Sequence, residues 1–198
     1  MANFPTDLII SSSSFESETS IFRSESINGI RTIREQPNHR FKFSLDLAID
    51  KHADFRKHFG YLSSLKSGVN KITIVHPAFQ TILGSATSCV VNGGSQNGTL
   101  INLDGFASSQ NGVLLQGDII KFTGDTKVYM VLEDVNSNAS GESTVNVLPA
   151  LRQSPSDNAI VQLTACEFTM SVTGFAKMDV VAPMFATMFK LTLIEELI

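Results

Sequence analysis

Between Asn92 and Gly141 the sequence is interrupted every few residues by pairs that bend a backbone: Asn92-Gly93-Gly94, Asn97-Gly98, Asp104-Gly105, Asn111-Gly112, Gly117-Asp118, Gly124-Asp125 and finally Gly141. Glycine takes positive φ at little cost, and Asn and Asp hydrogen-bond their own backbone, so each pair marks a turn. The segments between them, CVVN, TLINL, DIIKF, KVYMVLED and STVNVL, are short and rich in β-branched residues. Short strands at this spacing, with no helical window among them, predict a small closed β-barrel.

The flanks read differently. In FKFSLDLAI, Phe41, Phe43, Leu45, Leu47 and Ile49 share one face while Lys42, Ser44, Asp46 and Ala48 share the other, the alternation of a half-buried strand. Upstream, TSIFRSES and GIRTIRE flank Ile27-Asn28-Gly29, a tight hairpin because Asn-Gly tolerates positive φ. Asp50 is placed to cap a helix whose apolar positions Phe55, Phe59, Leu62 and Leu65 form a stripe that ends at Gly68. KITIV resumes strand alternation until His76-Pro77, where proline cannot extend a ladder. After Pro155, AIVQL, CEFTMSV and FKLTLIEEL return as strands, the last with Phe189, Leu191 and Leu193 on one face. Two readings fit the Ser11–Ser14 run with FESETS: a loop that orders on a partner, or a frayed N-terminus.

These segments assemble into a mainly β (α+β) protein. Residues 1–85 and 166–198 form one domain, and 86–165 form an inserted barrel; no repeat of 20 to 50 residues is visible. With 198 residues, 42% of them hydrophobic, and a net charge of -4, the chain is long enough for one sizeable core or two small ones. The mild acidity, without any run of four Lys or Arg, argues against sequence-specific nucleic-acid binding. The N-terminus lacks a basic region followed by a long apolar core, so it does not read as a secretory signal. The longest apolar run, Val180–Phe189, is broken by Pro183 and is about half the length needed to cross a bilayer.

Chemistry finds little support. His39, His52, His58 and His76 form no H-x-x-x-H or H-E-x-x-H spacing, and His52 and His58 fall on different helix faces, so no metal site is expected. His39 and His76 read as surface or packing residues. Asp118 and Asp125 flank IIKF, with Glu133 and Asp134 ending the next strand, so a paired-carboxylate hydrolase has to be weighed. An Asp directly after Gly at a strand end is, however, an ordinary turn former. Nucleophile elbow, Walker and dinucleotide-binding motifs are absent. Catalytic, cofactor-binding and metal residues are therefore assigned to no position, and no cofactor is expected. Cys89 and Cys166 form no C-x-x-C pair and read as reduced, small hydrophobic residues, with a disulfide left open. The barrel segment has no Trp; Tyr129, Phe106 and Phe122 make a poor stacking platform, and Tyr129 is expected to pack on the barrel with its hydroxyl at the rim.

The order of segments resembles distal tail proteins and related tail-tip components of long-tailed bacteriophages. Leu114 to Arg152 carries the closest likeness: a Leu…Gly-Asp strand start (Leu115 with Gly117 and Asp118), a Lys-Val-Tyr strand (Lys127, Val128, Tyr129), a hairpin glycine (Gly141), and a closing Pro-x-Leu (Pro149, Leu151). The Gly29–Ile49 hairpin and strand, the helix DFRKHFGYLSSLKSG, KITIVHPAF and FKLTLIEEL are similar in turn.

The resemblance implies a tail-tube-like β-sandwich with one helix carrying an OB-like barrel. It also implies a non-enzymatic structural role: a homo-oligomeric, hexameric ring joining the tail tube protein to baseplate hub or tail-fibre proteins. Such a ring sits at the virion tail tip, is assembled in the host cytoplasm, and engages neither sequence-specific nucleic acid nor membrane. A tube initiator or baseplate ring of a contractile tail is the nearest alternative; a barrel that binds host polysaccharide is another. Self-processing Hint chemistry would place a cysteine where Cys89 stands, yet no downstream His-Asn pair ends the segment.

Overall fold

The computed structural model describes residues 2–5, 8–36, 38–49, 52–174 and 187–196. In chain order the elements are β1 (Ala2–Asn3), β2 (Ile9–Glu18), β3 (Ile21–Glu25), β4 (Arg31–Glu35), β5 (Arg40–Ile49), α1 (His52–Ser64) and β6 (Ile72–Val75). There follow β7 (Val90–Val91), β8 (Leu100–Asp104), β9 (Ile119–Phe122), β10 (Val128–Val131), β11 (Ser143–Leu148), β12 (Val161–Gln162), β13 (Glu167–Val172) and β14 (Thr187–Glu195). The protein is mainly β. Two compact units emerge: residues 1–74 with 169–198, and residues 75–168, the second wider at both ends than the segment marked by its composition.

The first unit is organised by β5. Its side chains alternate as the sequence requires, with Phe41, Phe43, Leu45 and Leu47 fully buried, each contributing roughly 1.5–3 kcal/mol of burial. β14 pairs with it antiparallel from Thr187↔Ile49 to Ile194↔Lys42, and Leu191 and Leu193 point into the same core. The sheet runs β1-β6-β13-β14-β5-β2. Glu195 is also fully buried, and its Oε2 accepts the Phe41 N–H at 3.0 Å, so this carboxylate ties the start of β5 to the end of β14.

The serine-rich N-terminal stretch is neither a loop nor a frayed end. It forms the ten-residue edge strand β2, paired along β5 with a register shift between Ile10 and Ser12. Phe15 explains why so polar a stretch stays on the sheet: its ring stacks 4.9 Å from Phe41 and 5.4 Å from Phe43. Ser12 Oγ adds a 2.6 Å bond to the Asp46 carboxylate.

The helix forms where expected but is turned. Leu62 and Leu65 are buried, whereas Phe59 is 39% exposed and His58, expected at a wetter position, is buried. At about 100° per residue, His58, Leu62 and Leu65 fall within a sector of about 60°, and Phe59 lies about 60° beyond Leu62. The inward stripe therefore passes through the histidine. Asp50 and most of the apolar Val180–Phe189 run lie outside the described residues. Among the described residues no helix is long and apolar enough to cross a membrane.

The second unit is a nearly closed barrel with strand order β12-β9-β10-β11-β8-β7. Its two ends meet: Val161 N–H donates to Cys89 O at 3.1 Å, Val91 N–H to Ala159 O at 3.0 Å and Asn158 N–H to Val91 O at 2.9 Å. Closure removes the edges a small sheet would otherwise expose. Val91, Ile101, Leu103, Phe122, Tyr129 and Val145 fill the interior. The hairpin glycine is doubly constrained: Gly141 has φ +78°, and a Cβ there would collide with the Phe106 carbonyl oxygen.

Candidate functional site

The carboxylates weighed as catalysts are structural clamps. Asp118 is 2% exposed; its Oδ2 accepts the N–H groups of Leu115 at 2.8 Å and Gly84 at 3.1 Å, and its Oδ1 that of Leu83 at 2.6 Å. One side chain thus shapes the turn before β9 and also anchors a segment 35 positions upstream, a reach that exceeds that of a local turn former. Asp125 closes its own turn through Lys127 N–H at 2.9 Å and accepts the Tyr129 hydroxyl at 2.7 Å. Tyr129 is fully buried, with its hydroxyl at the barrel end facing Asp125 and Arg152 N–H. Burial first, and then the Asp125 carboxylate, raise its pKa above the usual phenol range. Phe106 and Phe122 are core residues as well, so none of the three aromatics is offered for stacking.

The remaining reactive side chains are dispersed. His39 Nε2 meets Ser17 Oγ at 2.8 Å and its ring stands edge-on to Phe41. His76 Nδ1 accepts Ala78 N–H at 3.2 Å, capping the short turn that follows β6, and burial lowers its pKa. Among the described residues no group of three or more His, Cys, Asp or Glu could hold a metal ion. Cys89 and Cys166 are buried free thiols. Burial, reinforced by Asp104, pushes Cys89 up to about 12, and burial carries Cys166 to about 11. Neither forms the thiolate that nucleophilic chemistry requires near neutral pH.

Two surfaces stand out instead. The first is the β3–β4 hairpin, paired from Ile21↔Glu35 to Glu25↔Arg31 around a turn closed by Gly29 N–H to Ser26 O at 2.9 Å. Every residue of both strands is exposed. Phe22, Ile27, Ile30 and Ile33 are all more than half exposed, with Ile27 at the tip exposed completely. The second is an open cleft of about 530 Å³ on the barrel, lined by Asn92, Asn102, Asn136, Ser137, Asn138, Glu142, Ser143 and Thr144. No sequence motif marks the cleft, because its lining comes from four separate segments. The hairpin was legible from Asn28-Gly29, but its exposure was not.

Comparison with known proteins bears on the barrel. No curated protein matches the chain. Residues 78–164 match the family model described as distal tail protein pb9, B domain. The match spans nearly the whole second unit, including the Asp118 clamp, the Asp125–Tyr129 pair and Gly141. Through this domain the chain belongs to the bacteriophage distal tail proteins and is a structural component of the virion tail.

Proposed function

We propose that this protein is a non-enzymatic ring component at the distal end of the tail, a homo-oligomer of six copies that joins the tail tube protein to baseplate hub or tail-fibre proteins. The observation that carries the reading is the exposed β3–β4 hairpin. An isolated two-stranded hairpin is marginal in water, and exposed apolar residues grouped on one element indicate an interaction surface. The second unit needs no such help, since its sheet meets itself. The first unit also ends at β2, an edge strand bearing Glu16 and Glu18, while the hairpin bears Arg23, Arg31 and Arg34. A hairpin of one copy laid against the β2 edge of the next is a head-to-tail contact, the kind that generates a closed ring when its rotation closes.

In such a ring the hairpin tip, Ser24 to Gly29, faces the lumen. That stretch contains Glu25 and no Lys or Arg, which suits a channel through which DNA slides, because basic groups would hold phosphates. The ring is assembled in the host cytoplasm and resides at the tail tip.

Native mass measurement of the purified chain, paired with negative-stain imaging, tests the proposal. A six-fold ring with a central hole is the expected result. A chain that stays monomeric at every accessible concentration, and is found on virions only as peripheral copies away from the tube axis, overturns it.

A further inference from the structure

The barrel cleft is unusual in that every residue lining it is polar, whereas small-molecule sites are mostly apolar with a few polar groups. Its floor is the outward face of β8 and β11. Asn102 alternates with the buried Ile101 and Leu103, and stands directly opposite Thr144, whose Oγ1 donates to Asn102 Oδ1 at 2.8 Å. One wall is the turn before β11, in which Asn138 Oδ1 accepts the N–H groups of Ser140 and Glu142 at 2.8 and 2.9 Å. Glu142 is in turn held from both sides, by Asn92 Nδ2 at 3.3 Å and Asn138 Nδ2 at 3.0 Å. Gln96 locks the back of the site, its Oε1 accepting Asn102 N–H at 2.7 Å while its Nε2 donates to Asn92 O at 2.8 Å.

These bonds leave a defined surplus. Asn102 and Asn136 use their amide oxygens on Thr144 and on Gly112 N–H, which leaves both Nδ2 groups to donate outward. Each Glu142 oxygen accepts one bond and retains lone-pair capacity. The cleft therefore offers strong acceptors and fixed donors side by side, already oriented.

We propose that this cleft binds a neutral saccharide, with hydroxyl groups donating to Glu142 and accepting from the Asn102 and Asn136 amides. A hydroxyl is the ligand group that both donates and accepts within so short a span. Nucleic acid is disfavoured because no Lys or Arg lines the cleft and a carboxylate sits within it. A cation would find a single carboxylate already engaged by two amides. An added peptide strand finds no free edge, because the barrel's strands meet end to end. Pre-orientation of the polar groups lowers the ordering cost of binding. With no aromatic ring in the lining, each site is weak, so the natural ligand is a repeating polysaccharide bound at many sites at once. The site is independent of ring formation: a failed ring leaves it intact, and an empty cleft leaves the ring reading intact.

The test is a glycan array printed with neutral and anionic bacterial polysaccharides, probed with the full chain, followed by titration of the bound polysaccharide. The full chain retains at least one neutral polysaccharide; Asn102→Ala weakens that binding about tenfold. Glu142→Gln, which keeps the shape and loses the charge, weakens it several-fold, and Thr123→Ala elsewhere on the barrel leaves it unchanged. Melting temperatures of all three variants stay at the value of the unaltered chain. Absence of any neutral glycan signal overturns the proposal. So does binding confined to anionic glycans, or binding that survives Asn102→Ala and Glu142→Gln unchanged.

Discussion

The barrel and the β3–β4 hairpin are built from the same parts, short antiparallel strands joined by tight turns with glycine at positive φ, yet they reach opposite ends of the range of burial. In the barrel, six strands circulate until β12 meets β7, and Val91, Ile101, Leu103 and Val145 lose all contact with water. In the hairpin, two strands of five residues each stay exposed throughout. Regular pairing is therefore not what stabilises a small β element. The apolar area that pairing brings out of water does so, at roughly 25 cal/mol per Å², and the hairpin brings almost none. One region is complete within the chain, and the other is built to be completed by a neighbour.

The comparison is broken most severely by removing what completes the barrel. Asp118→Ala strips the acceptor from the N–H groups of Leu83, Gly84 and Leu115, and each buried donor left unpaired costs about 1–3 kcal/mol. A loss of about 3 kcal/mol or more is expected in a urea titration, with Asp118→Asn recovering part of it because one carbonyl oxygen remains. A loss below about 1 kcal/mol shows that the clamp is dispensable and that closure rests on the apolar core alone.

A smaller effect separates the two sides of the helix in the first unit. Leu62→Ala empties a buried site and costs about 2–5 kcal/mol. Phe59→Ala removes a larger side chain yet costs about 1 kcal/mol, because much of that ring is already in water. His58→Ala falls above Phe59→Ala, the reverse of what side-chain hydrophobicity alone suggests. The order is read from the denaturant midpoints of the three variants; Phe59→Ala proving the costliest reverses the orientation of the helix.

The helix also shows where sequence reasoning stops. The barrel strands, β5, β6 and β14 were legible because alternation and turn pairs are local signals, carried within a few residues. The helix was legible as a helix but not in phase, since a histidine counts as polar in any pattern although its ring packs well once enclosed. β2 was illegible: its serines carry no strand signal, and what holds it is Phe15 against Phe41 and Phe43, side chains more than 25 positions away. The second duty of Asp118 was hidden for the same reason, its acceptors being spent on Leu83 and Gly84. The cleft draws on residues near 92, 102, 136–138 and 142–144, each an ordinary turn or outward-facing residue until the barrel brings them together.

The smallest effect on the isolated chain is the one that sharpens the comparison most. Phe22 and Ile33 sit on opposite faces of the hairpin, because Phe22 pairs with Arg34 and Ile33 with Arg23, and each is exposed by more than half. Replacing both, Phe22→Ser with Ile33→Ser, removes side chains that bury little in the single chain, so its unfolding free energy should move by no more than about 0.5 kcal/mol. In a ring the same side chains lie in an interface, where truncating a well-packed aromatic anchor costs 2 kcal/mol or more at each contact, by the usual order of magnitude. Repeated around a closed ring, that loss shifts the population from rings to single chains. Sedimentation of the double variant should therefore show monomers with an unchanged melting temperature. A variant that still forms rings places the interface elsewhere, and one that melts early shows that the hairpin belongs to the core of its own chain.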